Sequence, residues 1–254
     1  MITRRLLGVA VFAAALGVWE TWAHAEASFL LPPVSMVAER AWQVWPTSEF
    51  LLNVAGSLKR LAAGYAIGAG VGVAVGLVLG ARRGARLALE PLIEFLRAIP
   101  PIAIVPVLVV MLGLGDGMRV AVIAFGVCFP VLVHAAQGVR AVSPEARDTA
   151  AMLHVGPAEL LYRLYLPAAL PSIVAGLRVA LSIGLVLVVI SEFVGSPDGL
   201  GYYILSSSRS FNVPEMYGGI LFLGLLGYVL NRLFLLAERH VLFWHYGAAG
   251  EPVR

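Results

Sequence analysis

Residues 61–81, with the sequence LAAGYAIGAGVGVAVGLVLGA, form a run of 21 residues that contains no charged side chain. Crossing the hydrocarbon core of a membrane as an α-helix takes about 20 apolar residues. Lipid offers no hydrogen-bond partners, so the backbone groups of a spanning segment must bond within the segment itself, as they do in a helix. This stretch therefore predicts a membrane-spanning helix.

The composition of the 254-residue chain agrees with a membrane location. Hydrophobic residues make up 60% of it and charged residues only 13%, whereas soluble proteins carry about 25% charged residues. The net charge is +3, but the basic residues are scattered at the ends of apolar runs, which argues against a nucleic-acid partner. The single cysteine, Cys128, excludes an intramolecular disulfide and a multi-cysteine metal site, and we predict no metal site.

Five further apolar segments predict additional membrane helices. A strand-based barrel would instead show short segments of alternating polarity, so we expect an all-α membrane protein with about six transmembrane helices. The further segments cover approximately residues 6–23, 98–115, 120–139, 170–194 and 216–237. The expected layout is a first helix at 1–25, an extracytoplasmic loop at 26–56, a core of five transmembrane helices at 57–239 and a cytoplasmic tail at 240–254.

The distribution of arginine indicates the orientation of these helices. If the N-terminus is cytoplasmic, most arginines fall in the inner segments, as the positive-inside rule requires, and both termini lie inside. The first segment has a second interpretation, because it resembles a signal peptide with its cleavage site. It begins with Arg4 and Arg5, continues as an apolar run and ends at Ala23-His24-Ala25. We favour a retained signal anchor; cleavage would leave five spans in the same orientation.

The second apolar segment carries five glycines at intervals of four residues. A step of four residues drifts about 40° around a helix, so the glycines form a winding stripe. Glycine weakens a helix, and a regular stripe therefore indicates close contact with a crossing helix; the alternative is the general glycine richness of a chain with 27 glycines. The stripe consists of Gly64, Gly68, Gly72, Gly76 and Gly80.

Prolines and membrane charges supply candidates for a translocation pathway. In the third segment, Pro100 and Pro101 suit a helix start, whereas Pro106 is expected to bend the helix. Arg178 and Glu192 lie within the fifth segment, where a charge is a functional hypothesis by default. The pathway candidates are Pro100, Pro106, Arg178 and Glu192, although either charge could have a structural partner and Glu192 could be solvated at the outer end. His134, in the fourth segment, is expected to be a packing residue.

A polar interruption at residues 143–167 separates the fourth and fifth segments. Ser143 followed by Pro144 predicts a helix N-cap with proline in the first turn. Gly156-Pro157 is typical of a stop followed by a second helix. The interruption therefore predicts two short helices with a turn near residues 154–156.

This interruption resembles the EAA loop of ABC importer permeases. The family pattern has E-A-A, three residues, G, nine residues, I, one residue and L-P. The E-A-A positions are occupied by Asp148-Thr149-Ala150, and the glycine position by His154. The isoleucine position is occupied by Leu164, and the pattern ends without a gap at Leu166-Pro167. His154 is the main departure, because glycine permits a tight turn; Gly156 is the alternative turn residue, and Glu145 belongs to the same loop.

Three further regions resemble the nitrate/sulfonate/taurine-type permeases. The resemblance covers most of the chain from 57 to 239. The regions are residues 97–103 with 113–115, residues 166–171 with 176–178, and residues 191–195 with 199–202.

The resemblance implies a type I ABC importer permease-like fold with a cytoplasmic coupling-helix loop. It implies a multi-pass subunit of the bacterial inner membrane that pairs with a second copy of itself, a cytoplasmic ATPase dimer and an extracytoplasmic solute-binding protein. ATP and Mg²⁺ would be bound by the ATPase. The chain itself has one lysine, Lys59, between Leu58 and Arg60, so it lacks the Gly-Lys-Ser/Thr of a phosphate-binding loop.

Two other classes of function remain as alternatives. A gradient-driven transporter or channel often shows internal repeats and midplane charges, and we find no clear repeat. A membrane enzyme would need clustered catalytic residues, and neither a zinc-binding helix motif nor G-x-S-x-G occurs; we therefore expect a transport subunit that is not an enzyme. The resemblance implies that the subunit translocates a small anionic or organic solute.

Overall fold

The computed structural model describes residues 2–26 and 28–244, apart from the side chains of residues 2–6 and 9. These residues form helices joined by turns, with no β-strand among them. Part of the predicted cytoplasmic tail, residues 245–254, lies outside the described residues. The α-helices are α1 (Ile2–Glu26), α2 (Val34–Val44), α3 (Ser48–Ala81), α4 (Arg83–Ala98), α5 (Val105–Leu112), α6 (Asp116–Arg140), α7 (Pro144–Met152), α8 (Pro157–Leu160), α9 (Leu166–Glu192), α10 (Leu200–Arg209) and α11 (Val213–Val241).

The long apolar helices confirm the prediction of an all-α membrane protein. Four helical stretches of the described chain are long and apolar enough to cross a membrane, and α4 with Pro101–Leu112 makes a fifth if this bent pair counts as one span. The first predicted segment is also helical, because α1 continues through Ala23 and Ala25 to Glu26. The four single stretches are Ser48–Ala81, Asp116–Arg140, Pro157–Glu192 and Val213–Val241.

Helix α3 begins earlier than the apolar run suggested. It starts at Ser48, so Lys59 and Arg60 lie inside a helix of 34 residues rather than in a loop. Arg60 is buried, with 4% of its surface exposed. A hydropathy pattern does not locate this helix start, because the polar side chains of Asn53, Ser57 and Arg60 find their partners at positions distant in sequence.

The third predicted segment is broken at a different proline from the one expected. The bend of 87° lies between α4 and a 3-10 turn at Pro101–Ile104, where Ile99 and Pro100 have extended backbones. Pro106 occupies the first turn of α5, where the missing N–H breaks no helical bond. The prediction that Pro106 bends the helix is therefore wrong, and the residues before Pro101 make the break.

The five glycines of the stripe, all on α3, face α6. A Cβ atom added at Gly72 would lie 2.6 Å from the Cys128 carbonyl oxygen, and one added at Gly76 would lie 2.5 Å from the Leu132 carbonyl oxygen. Any side chain here would force the two helices apart. In order, Gly64, Gly68, Gly72, Gly76 and Gly80 lie against the carbonyl groups of Val120, Ala124, Cys128, Leu132 and Ala136.

The chain divides into two compact units. The first comprises the described residues up to Ser57 together with Pro197–Leu226. Its centre is Phe50, whose ring meets the rings of Tyr203 and Phe222 edge to face at centroid distances of 5.1 and 4.9 Å.

The second unit comprises Leu58–Ser196 and the described residues from Gly227 onward. Its core is the contact between α6 and α9, which approach closely at two glycines. A Cβ at Gly138 would lie 2.8 Å from the Cα of Ala169, and one at Gly176 would lie 2.6 Å from the Cβ of His134. His134 thus packs against α9, and its carbonyl accepts a hydrogen bond from the Ser172 hydroxyl at 2.8 Å.

Candidate functional site

The loop between α6 and α9 begins with the capped helix that the sequence predicts. The Ser143 side chain accepts a hydrogen bond from the Ala146 amide at 3.3 Å, and Pro144 occupies the first turn of α7. Glu145 lies in that first turn, where hydrogen bonds from its own backbone amide and from Ser143 lower the pKa of its carboxyl group. The N-terminus of α7 therefore presents an ionised carboxylate, which its dipole stabilises.

His154 makes the turn at the end of α7. Its φ angle of 51° places it in the left-handed region, where glycine is favoured and histidine is one of the better-tolerated alternatives. The His154 amide donates to the Ala151 carbonyl at 3.0 Å and the Val155 amide to the Ala150 carbonyl at 3.1 Å, which is the Schellman pattern of helix termination. Gly156 has an ordinary extended backbone and is the N-cap of α8.

The second short helix runs directly into the fifth span. Helix α8 passes into a π-helical turn at Leu161–Tyr165, and α9 follows at Leu166. The whole stretch Pro157–Glu192 counts as one membrane-length helix. No turn or loop therefore separates α8 from α9.

Arg147 attaches α7 to the end of α6. Its guanidinium donates to the Val139 carbonyl at 2.8 Å and to the Arg140 carbonyl at 3.3 Å. The same group lies 5.8 Å from the centre of the Tyr165 ring, within cation–π range. No sequence motif marks this role, although an arginine just beyond a helix end is suited to binding its free carbonyl groups.

The predicted coupling residues divide into an exposed group and a packed group. Met152 and Leu153, at the tip of α7, are large apolar side chains with 77% and 71% exposure. The exposed predicted residues are Glu145, Asp148, Thr149, His154 and Pro167, whereas Ala150, Gly156, Leu164 and Leu166 are half-buried. Leu166 packs against the core cluster that includes Leu77 and Ala169. The loop thus joins a packed base to an exposed apolar tip.

At the end of the helices remote from this loop, buried charges join α3, α6 and α9. Arg60 donates to Asp116 at 2.7 Å and to Glu192 at 2.9 Å. Arg119 lies 3.6 Å from Asp116 and donates to the Val194 carbonyl at 3.3 Å. Glu192 is 1% exposed, so the option that it is solvated is wrong. Burial of a charge requires pairing, and Glu192 is paired.

The four pathway candidates do not come together. Pro100 lies at the break before α5 and Pro106 in its first turn. Arg178 is exposed and donates to the Asn231 side chain at 3.2 Å, linking α9 to α11. Glu192 belongs to the buried ion cluster. Within the described residues, no group of three or more His, Cys, Asp or Glu side chains could hold a metal ion.

Comparison with known proteins shows which family this chain belongs to. Residues 64–242 match the family model of the binding-protein-dependent transport system inner membrane component. This match covers more than half of the chain. The chain belongs to this family. It is thus a multi-pass membrane permease subunit of the ABC transporter class rather than an enzyme, and the gradient-driven alternative finds no support.

Curated relatives match nearly the whole chain. The taurine transport system permease protein of Escherichia coli is 28% identical over 246 residues, which cover 94% of this chain and 90% of the relative. The bicarbonate transport system permease protein of Synechococcus elongatus is 29% identical over 253 residues, which cover 93% and 89%. These relatives agree with the nitrate/sulfonate/taurine-type resemblance.

Proposed function

We propose that the chain imports a small organic or inorganic anion, delivered by an extracytoplasmic binding protein and driven by cytoplasmic ATPases. Support comes from the relatives, whose names specify taurine and bicarbonate, both of which carry an anionic group. Two copies of the chain would form the membrane unit, in the inner membrane of a bacterium. The arginine bias supports cytoplasmic termini and a cytoplasmic position for the loop at 143–167.

The coupling role of the loop is supported chiefly by the exposed tip of α7. Met152 and Leu153 leave large apolar surfaces uncovered at one end of the helix that also carries the exposed carboxylates of Glu145 and Asp148. An apolar patch with a polar rim is typical of a protein contact. The left-handed His154 also supports alignment with the EAA pattern, because the family's glycine position is where this backbone needs a positive φ.

The geometry suggests how such a contact would act. When the ATPases close on ATP, they would displace α7, and the continuous stretch Pro157–Glu192 would carry that displacement into the membrane. Arg147 would carry it into α6 through the carbonyls of Val139 and Arg140. The cytoplasmic ends of α6 and α9 would then move together.

Charge reversal at Asp148 and a bulky side chain at Ala150 test this proposal. In vesicles that hold the permease, its ATPase and its binding protein, Asp148→Lys and Ala150→Trp should each lower solute uptake about tenfold while ATP hydrolysis continues, because a 1.4 kcal/mol loss at the contact is a tenfold effect. The control Glu39→Lys, an exposed reversal on α2, should leave uptake unchanged. Normal uptake in both loop variants would refute the coupling role.

A further inference from the structure

Helix α4 packs against the protein through Ala85 and Ile93, with polar side chains along a cavity beside α6 and large apolar side chains exposed on its other side. Leu92 and Phe95 on the apolar face are 52% and 66% exposed. The polar face borders a cavity of about 190 Å³ between α4 and the cytoplasmic end of α6. In a membrane protein, this arrangement places the apolar face in lipid and the polar face along a water-filled path. The charged and amide residues that line the cavity are Arg86, Glu90, Glu94, Arg97, Gln137 and Arg140.

A larger cavity adjoins this one deeper in the helices. The second cavity has a volume of about 400 Å³ and shares Arg97 and Val133 with the first. It reaches Gly126 on α6 and Ile183 on α9. At 1.5 Å per residue, Gly126 lies about 15 Å from the start of α6, which is about half the thickness of the hydrocarbon core. The path therefore runs from the cytoplasmic end to the middle of the membrane.

The wall of the inner cavity includes the break between α4 and α5. Ile99 lines it with an extended backbone, and irregular backbone at membrane depth is tolerated where it borders a cavity. Pro101 packs on Gly126, where an added Cβ would lie 3.2 Å from the proline ring. Pro130 has no N–H to donate to the Gly126 carbonyl, so this carbonyl lacks its usual helical bond.

The chemistry of the inner cavity favours an anion with a small organic part. Arg97 is the one charged side chain among the described residues that line it, and Phe129 and His134 add ring surfaces. Glu94 lies 3.9 Å from Arg97, with side-chain exposures of 67% and 51%, so this pair is weak and leaves Arg97 available. The volume lies in the range of small-molecule sites.

We propose that the inner cavity is the transit site of the solute, where Arg97 pairs with its anionic group and Phe129 and His134 contact its organic part. The cytoplasmic cavity, with three arginines and two glutamates, is the exit path. The proposal rests on the proposed import of an anion, and it adds residues that the pathway predictions did not include.

Thiol labelling tests this site without knowledge of the solute. Cys128 is the single cysteine, so Cys128→Ala provides a cysteine-free permease into which Val133→Cys is introduced, in complex with its ATPase. The probes are the anionic 2-sulfonatoethyl and the cationic 2-trimethylammonioethyl methanethiosulfonates. We expect the anionic probe to react about tenfold faster, because a cation within a few ångströms raises the local anion concentration by that order.

Three matched variants make the result specific. Arg97→Gln should remove the preference, Arg97→Lys should keep it, and Arg83→Gln, on the same helix but outside both cavities, should leave it unchanged. A cysteine at the lipid-facing Leu92 should react with neither probe. Equal rates at Val133→Cys, a preference that survives Arg97→Gln, or equal labelling of Leu92→Cys would overturn the proposal.

Uptake by the unaltered complex separates this inference from the proposed function. If radiolabelled taurine or bicarbonate is imported but the labelling preference is independent of Arg97, the transit site is wrong and anion import stands. If the preference depends on Arg97 but neither anion is imported, the cavity assignment stands and the proposed solute class is wrong.

Discussion

The two ends of helices α6 and α9 are held in different ways. At the end remote from the loop, Arg60 bridges Asp116 and Glu192 inside the protein. At the loop end, Arg147 binds two backbone carbonyls and a tyrosine ring, and the tip beyond it is exposed. Breaking a buried ion pair costs about 3–5 kcal/mol, whereas a hydrogen bond from a charged group, such as those of the half-buried Arg147, contributes about 1.5–3 kcal/mol. If the proposed ATPase contact moves the loop ends, the remote ends should therefore stay together.

Removing Glu192 should have the largest effect on the remote end. Glu192→Ala removes a buried acidic partner of the buried Arg60, and we expect a loss of about 3 kcal/mol of stability. Thermal unfolding of the detergent-purified protein measures this loss. The control Glu94→Ala, in an exposed pair, should change stability by less than about 0.5 kcal/mol. Equal stability of the two variants would mean that the ion cluster does not stabilise the packing of α3, α6 and α9 at the end remote from the loop.

The glycine contact between α3 and α6 links the two ends and should give an intermediate effect. Gly72→Ala places a methyl group 2.6 Å from the Cys128 carbonyl and should cost about 1–3 kcal/mol. Gly70 lies two residues away on the same helix with no atom within 4 Å of its added Cβ, so Gly70→Ala should stabilise by up to about 1 kcal/mol. Opposite signs in the two unfolding midpoints support the close contact, and a stabilising Gly72→Ala would contradict it.

His154 should give the smallest effect, at the loop end. His154→Gly removes a side chain from a left-handed position and should alter loop stability by no more than about 1 kcal/mol, with uptake retained. His154→Val puts a branched side chain at the same φ and should cost about 1–2 kcal/mol. Hydrogen exchange of the amides of α7 reports both changes. Faster exchange in the glycine variant than in the valine variant would show that this turn does not need a positive φ.

The sequence predicted those features that depend on local chemistry. The length of the apolar runs predicted the helical membrane fold. Ser143 and Pro144 predicted the start of α7, because a capping residue acts on the helix that directly follows it. The loop spacing also identified position 154 as one of two turn residues. The backbone then distinguishes them, since φ is positive at His154 and not at Gly156.

Features that depend on distant contacts could not be predicted in this way. The partner of Glu192 is Arg60, 132 residues away, and no local pattern pairs them. The bend falls at Ile99-Pro100 rather than at Pro106, because a proline bends a helix only when it lies beyond the first turn. Pro106 lies in the first turn of α5, and the apolar pattern does not show that α5 begins there. The inward polar face of α4 likewise emerges only when α6 is beside it.

A photo-crosslinking amino acid at position 152 tests the central claim, that the tip of α7 binds the ATPase. In membranes that contain the assembled transporter, we expect a covalent adduct between the permease and the ATPase from position 152. The same amino acid at position 42 on α2, where Trp42 is 82% exposed, should give none. Absence of the adduct from position 152, or equal yields from both positions, would contradict the account.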